Sequence, residues 1–253
     1  MRRAADALLP GRCVLCGDPS GPDPLCQPCL LGLPGLAGLP LGCPRCALPF
    51  IPNGESGPGE GPVRCGACQR NPPPWAHVTA TLRYDFPANR LVRALKYRGD
   101  FAAGAALVQA MLHGPGPELP REATTDAATP WIVPVPLHAW RERRRGFNQA
   151  MELALPLARA TGWQLVDRLK RVRRTPPQAR LDGQQRRRNL QGAFRWQGAP
   201  PSGQTIVLVD DVLTTGATLE ACTRALPDAG VVCAWVAARA VPRDQSDRRA
   251  QRS

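Results

Sequence analysis

The pattern of apolar and polar positions divides the chain near residue 76. Between residues 10 and 75, Gly and Pro crowd the sequence and apolar residues follow neither a strand nor a helix period. Beyond that point the texture changes. Thr79–Tyr84 alternates as a strand does, and Pro87–Tyr97 places Leu91, Val92 and Leu95 on one helical face. Ala102–Leu112 reads as a second helix, rich in small residues. Ile132-Val133-Pro134-Val135-Pro136 resembles the end of a buried strand, its prolines fixing a rigid turn where the ladder stops. A helix is expected from Asn148 to about Ala160, ended by Gly162, with short strands at Trp163–Val166 and Ala193–Trp196. Ile206-Val207-Leu208-Val209 is a continuous apolar run suited to a strand buried on both faces, and Val231–Ala238 is a last apolar strand. Gly114–Pro130 reads as a surface loop, Arg168–Asn189 as a polar, Arg-rich stretch, and the tail from Asp244 as charged and disordered.

Strands alternating with helices predict an α/β domain over residues 76–242, built on a doubly wound parallel sheet. Ligands of such sheets bind beyond the carboxyl ends of the strands, at a switch point. A small module over 10–75 precedes the domain, and a tail over 243–253 follows it. The 253 residues are enough for this division. Met1-Arg2-Arg3 is basic, but Ala4–Pro10 carries Asp6 and is too short for the apolar core of an export leader. No apolar run approaches the ~18 to 20 residues of a membrane span. A soluble, cytoplasmic protein without membrane insertion is therefore expected.

Charge sharpens the division. The chain carries a formal +13, yet residues 1–75 hold six Arg against five acids. Residues 141–195 hold fifteen Lys plus Arg against four acids, so nearly all of the imbalance lies in one segment. A concentration of this kind suits a polyanionic ligand or nucleic acid. Only Lys96 and Lys170 are lysines, a bias that matches the abundance of Ala, Gly and Pro and carries little functional weight.

Eight of the ten cysteines form four C-x-x-C pairs: Cys13/Cys16, Cys26/Cys29, Cys43/Cys46 and Cys65/Cys68. Each pair is a knuckle that can place two thiolates on one tetrahedral Zn²⁺, and two knuckles complete a Cys₄ site. Metal binding can supply folding free energy to a segment this poor in apolar side chains. Two structural zinc ions are expected. Sequential pairing closes the shorter loops, while an interleaved cross-brace satisfies the same spacing. A disulfide scaffold is the competing reading, disfavoured in a reducing compartment. Gly54–Pro62 reads as a flexible loop inside the second ribbon, and Cys222 and Cys233 as core residues.

The richest chemistry lies at Thr205–Cys222, TIVLVDDVLTTGATLEAC. Asp210 and Asp211 follow where the apolar strand should end. Leu213, Thr214, Thr215, Gly216, Ala217 and Thr218 then lead into a helix start. Backbone N–H groups and threonine hydroxyls can hold a phosphate, and carboxylates can accept from ribose hydroxyls or help hold Mg²⁺. A capped helix after an acidic turn is the plainer reading, but a cap needs one polar residue, not two carboxylates and three threonines. Three further motifs share this edge: Leu95-Lys96-Tyr97, the run Arg141–Gln149, and Thr175–Gln178 ahead of Arg186–Asn189. Singly, each reads as a solvated face or a linker.

The run DDVLTTGAT resembles the phosphoribosyl-pyrophosphate (PRPP) signature of type I phosphoribosyltransferases. With Tyr84-Asp85-Phe86, LKY, VPVPLH, RRGFNQA, T-x-x-Q and RRxN behind four knuckles, residues 13 to 240 resemble the ComF family of competence-associated, phosphoribosyltransferase-like proteins. The resemblance implies a type I phosphoribosyltransferase fold, a bacterial cytoplasmic setting and a link to DNA uptake in natural transformation. It implies that Asp210 and Asp211 hold the ribose hydroxyls with Mg²⁺ alongside, and that the loop through Thr218 cradles the 5′-phosphate. Val135, Pro136 and Leu137 match the pyrophosphate loop, where type I enzymes commonly have a small-residue turn. Arg144 and Arg145 would close over the pyrophosphate as part of a mobile flap, with Arg145 neutralising the departing charge. Two functions follow as expectations: pentosyl transfer from Mg·PRPP, or a non-catalytic single-stranded-DNA-binding competence factor with a regulatory or vestigial pocket. Competence-machinery proteins are the partners implied.

Overall fold

Two cysteine-bearing segments lead into one parallel sheet. The computed structural model describes residues 11–35, 42–49, 64–119, 129–173 and 189–241. A hairpin of β1 (Gly11–Arg12) and β2 (Pro19–Gly21) leads to α1 (Gln27–Leu31), and α2 (Gly66–Arg70) belongs to the second cysteine segment. Then come β3 (His77–Arg83), α3 (Ala88–Arg98), α4 (Phe101–His113), β4 (Trp131–Pro134), α5 (Ala139–Arg145) and α6 (Gln149–Thr161). The remaining elements are β5 (Gln164–Leu165), β6 (Leu169–Arg171), β7 (Phe194–Trp196), β8 (Thr205–Leu213), α7 (Ala217–Thr223) and β9 (Val231–Arg239).

The five-stranded sheet has the order β3-β9-β8-β4-β5 and is parallel throughout. From β4 the chain moves outward to β5, then returns to place β8 on the other side of β4. The switch point therefore falls between β4 and β8, where a ligand crevice belongs in an open α/β sheet. Alternation along β8 assigns its side chains to two cores. Val207 and Val209 join the core under α3, α4 and α6, while Ile206 and Leu208 join the one that includes α7 and the β6–β7 hairpin. All four are fully buried, as a continuous apolar run in a central parallel strand should be. Asp100 caps α4 by accepting from the Ala103 amide, and Gly162, with φ of 73°, closes α6 where expected.

Three elements depart from the sequence reading. First, β8 continues through the acidic pair to Leu213 because Asp210, Val212 and Leu213 keep pairing with Val236, Ala238 and Arg239 of β9. Second, the basic run Arg141–Arg145 is helical, as α5, with His138 Nδ1 accepting from the Trp140 amide at its start. Third, the stretch read as merely polar contains β6, which pairs antiparallel with β7 as a separate hairpin. Leu169 is fully buried there, Arg171 lies 5.3 Å over the Phe194 ring, and Trp196 stacks on Trp131 at 6.3 Å. Gly54–Pro62, Thr175–Gln178, Arg186–Arg188 and the tail from Asp244 lie outside the described residues. Among those described, no helix is long and apolar enough to cross a membrane.

The cysteine segments cover the outer edge of β3. The Val78 amide donates to Pro44 O at 2.9 Å and the Arg83 amide to Pro34 O at 2.7 Å. An edge strand is thereby paired instead of being left open. On α4, the Gln109 side chain accepts from the Leu25 amide and donates to the Leu25 carbonyl.

Candidate functional site

Because β8 carries the acidic pair within its ladder, pleating sends the two carboxylates to opposite faces. Asp211 follows Val207 and Val209 onto the α3 face. It is buried and accepts from Lys96 Nζ at 3.1 Å. Asp210 follows Ile206 and Leu208, and its Oδ1 accepts the Asp211 amide at 2.9 Å. Burial, reinforced by the Asp211 charge, pushes the Asp210 carboxyl up to about 8, although Lys96 works the other way. Burial also works against the Lys96 ammonium, but Asp211 and then Asp210 outweigh it and hold its pKa above the usual value. Lys96 is therefore a resident cation at the acidic pair. Its motif was visible in the sequence but had no assigned role there.

The loop beyond β8 has the shape of a cradle. Thr214 and Thr215 are exposed and Thr218 is half-buried, whereas Gly216 and Ala217 are buried. Gly216 has φ of 80°, and a Cβ added there would sit 3.0 Å from the Trp75 ring. Only glycine combines that backbone with that clearance. Beneath the loop, the Arg239 guanidinium donates to Leu213 O at 2.8 Å, Thr214 O at 2.6 Å and Ala240 O at 2.5 Å. Its Nε donates to Cys46 O at 2.8 Å. Sequence reasoning missed Arg239, although a buried charge closing an otherwise apolar strand, VVCAWVAAR, was a readable signal.

The turn at 135–137 stands beside this cradle at the end of β4. Val135 donates its amide to Val209 O and accepts from Asn148 Nδ2. Pro136 has no N–H, so only Leu137 of these three can offer a backbone donor to an anion. Arg144 and Arg145 separate. Arg144 is exposed and lies 5.6 Å over Trp140, while Arg145 is half-buried and lies 6.0 Å over Tyr97. Burial lowers the Arg145 pKa, and the Asp211 charge opposes that shift. Two buried donors here have no protein partner, Arg145 Nη1 and Gln149 Nε2. Such groups are costly unless a ligand or water engages them.

The eight knuckle cysteines form two clusters in sequential order: Cys13, Cys16, Cys26 and Cys29, then Cys43, Cys46, Cys65 and Cys68. Within each cluster the sulfurs lie within 4.8 Å of one another. Each cluster joins a tight turn to the start of a short helix. Cys26 and Cys65 are N-cap residues, so Cys29 and Cys68 fall three residues on, on the same side. Sulfur crowding splits the thiols: a hydrogen bond from Cys46 draws Cys43 down to about 4, and the same contact pushes Cys46 up. Four convergent thiol ligands suit a closed tetrahedral Zn²⁺ site, so each cluster could hold zinc. Cys222 and Cys233 are buried in the core, away from both clusters.

The phosphoribosyl transferase domain family matches residues 150–252. The chain is 36% identical over 219 residues to "DNA utilization protein YhgH" of Salmonella typhi, covering 83% of this chain and 88% of that protein. It is 33% identical over 185 residues to "Competence protein F" of Haemophilus influenzae, covering 70% and 78%. A shorter match, 35% identical over 99 residues, links it to "Competence protein ComFC" of Bacillus subtilis.

Two outcomes follow from this geometry. Elemental analysis should find two zinc ions per chain, and Cys16→Ser or Cys46→Ser should each leave one; a wild-type value of one or none contradicts the two clusters. The raised Asp210 pKa means the folded chain keeps a proton that the unfolded chain releases above about 3.8. Its stabilising contribution is therefore full at low pH and is lost as pH rises toward about 8. Urea denaturation between pH 6 and 8 should show wild type losing about 2 kcal/mol more than Asp210→Asn. Equal losses would contradict the assignment.

Proposed function

The chain belongs to the ComF family, and on that premise we propose that it binds Mg·PRPP, or a related phosphoribosyl ligand, at the corner formed by β8, its following loop and the 135–137 turn. One observation carries this reading. Twin carboxylates, an exposed threonine loop and two buried donors without protein partners converge at the carboxyl edge beside the switch point. In this reading the hydroxyls of Thr214, Thr215 and Thr218, with the loop amides from Leu213 through Ala217, hold the 5′-phosphate. Asp210 and Asp211 accept from the ribose hydroxyls, while Leu137, Arg145 and Gln149 face the pyrophosphate.

Oxygen ligands of the Asp210–Asp211 type suit Mg²⁺, and Lys96, paired with Asp211, adds a fixed positive charge beside the same corner. Bound Mg²⁺ would add positive charge against the pyrophosphate oxygens. Pentosyl transfer breaks the bond between ribose C1 and the pyrophosphate oxygen, whose electron pair leaves with pyrophosphate. An acceptor nitrogen forms the new bond to C1. The sugar is cationic in the transition state, so positioning and electrostatics dominate. Arg145 stabilises the leaving charge, and Asp211 the developing positive charge. The relatives' names support a role in DNA utilisation and competence. The two thiolate-rich centres suit a reducing, cytoplasmic compartment.

A second reading has its own observation. Tyr97 and Phe101 are exposed on either side of the α3–α4 turn, and Phe101 packs edge-on against Phe147 at 5.2 Å. Arg145 lies 6.0 Å over Tyr97, and Arg144 lies 5.6 Å over the exposed Trp140. Exposed aromatic faces interleaved with guanidinium groups form a stacking platform for single-stranded DNA.

Calorimetry with Mg·PRPP should give saturable heat with wild type and at least about tenfold weaker binding with Asp210→Asn/Asp211→Asn. No wild-type heat, or equal affinity in the double variant, defeats the phosphoribosyl reading. Single-strand affinity should drop roughly tenfold or more between 50 and 200 mM salt. A flat response, or no binding at low salt, removes the DNA reading.

A further inference from the structure

The second cysteine cluster and the threonine loop share a single buried guanidinium. Arg239, 4% exposed, donates through Nε to Cys46 O and through Nη1 to the carbonyls of Leu213 and Thr214. Cys46 is a metal-cluster cysteine, and Leu213 and Thr214 open the phosphate loop. Among the described residues, no carboxylate forms an ion pair with Arg239. The acidic groups nearest to it are the cluster cysteines Cys46, Cys68, Cys65 and Cys43, which become thiolates when they ligate a metal; burial otherwise lowers the Arg239 pKa. A Zn²⁺ ion with four thiolates keeps a net negative charge, so the loaded cluster is a fixed counter-charge for a cation that burial would otherwise penalise.

A second link runs parallel to the first. Trp75 Nε1 donates to Arg45 O at 2.6 Å, inside the Cys43–Cys46 knuckle, and the same indole packs edge-on over Gly216. The loop is thus gripped at its start by Arg239 and at its glycine by Trp75, both anchored to one knuckle. Among the described residues, no hydrogen bond joins the first cluster's segment to this loop; that segment meets the domain at Gln109 of α4 and Arg83 of β3.

We propose that the Cys43/Cys46/Cys65/Cys68 centre sets the conformation of the Leu213–Thr218 loop, with Arg239 and Trp75 as positioning residues. Metal occupancy of this centre then governs capture of the sugar phosphate, whereas the first centre only braces the fold. The capture part rests on the phosphoribosyl reading; the conformational part stands without it.

Hydrogen–deuterium exchange on the full-length, zinc-loaded chain tests the coupling directly. Amides of residues 214–218 should exchange about tenfold faster or more in Arg239→Gln and in Cys46→Ser. Exchange in β4, residues 131–134, should stay at the wild-type rate. Arg239→Lys, which keeps the charge but not the fork of bonds, should fall between. Cys16→Ser, which empties the first centre, should leave the loop unchanged. Equal acceleration in Cys16→Ser, spread of the effect into β4, or wild-type loop exchange in Arg239→Gln would each overturn the proposal. Calorimetry with Mg·PRPP on the same variants should show affinity falling with loop protection. If wild type binds no PRPP while the exchange pattern holds, the phosphoribosyl reading fails and the coupling stands.

Discussion

Burial of Ile206 to Val209 on both faces of the sheet is the constraint from which the site follows. A strand packed between two cores cannot shift register without moving every side chain to the wrong face. Its polar continuation is therefore delivered to one place, the carboxyl edge next to β4. Because the ladder persists to Leu213, the two aspartates are held by strand geometry and not by a loop. That geometry gives each carboxylate its own environment. Asp211 meets Lys96 under α3, while Asp210 is on the opposite face of the sheet and holds its proton more tightly.

The cysteine segments are integrated with this arrangement. They complete the open edge of β3 with backbone hydrogen bonds, and the second of them reaches across to the loop after β8. A buried guanidinium bonded to four carbonyl oxygens is expensive unless negative charge lies near it, and the adjacent four-cysteine cluster would supply that charge once it holds a metal. The cysteine segments and the loop after β8 thus form one connected structure, although the chain presents them as separate segments.

Most of the sheet was legible because apolar runs such as Ile206–Val209 and Val231–Ala238 have one stable solution, a buried parallel strand. Helices α3, α4 and α6 followed from their apolar faces and from stops such as Gly162. Cysteine spacing identified four knuckles, and loop length favoured the sequential grouping that the sulfur positions show. Local pattern showed β7 but not its partner β6, since strands of three residues owe their stability to packing of Leu169, Phe194 and Trp196. The split between Arg144 and Arg145 was equally hidden. Adjacent arginines look alike in sequence, and only the path of α5 decides which one faces the acidic pair. Lys96 with Asp211, Trp75 with Gly216 and Arg239 with Cys46 are each paired across more than a hundred positions, so their roles do not follow from local pattern.

The central claim is spatial: a sugar phosphate lies in the corner between the threonine loop and the twin aspartates. A crystal structure of the zinc-loaded chain soaked with Mg·PRPP measures this directly. The account predicts phosphate density within hydrogen-bonding reach of Thr214, Thr215 and the amides through Thr218, with the ribose beside Asp210 and Asp211. Ligand bound elsewhere, or density absent at saturating PRPP from a corner open to solvent in the crystal, would contradict it.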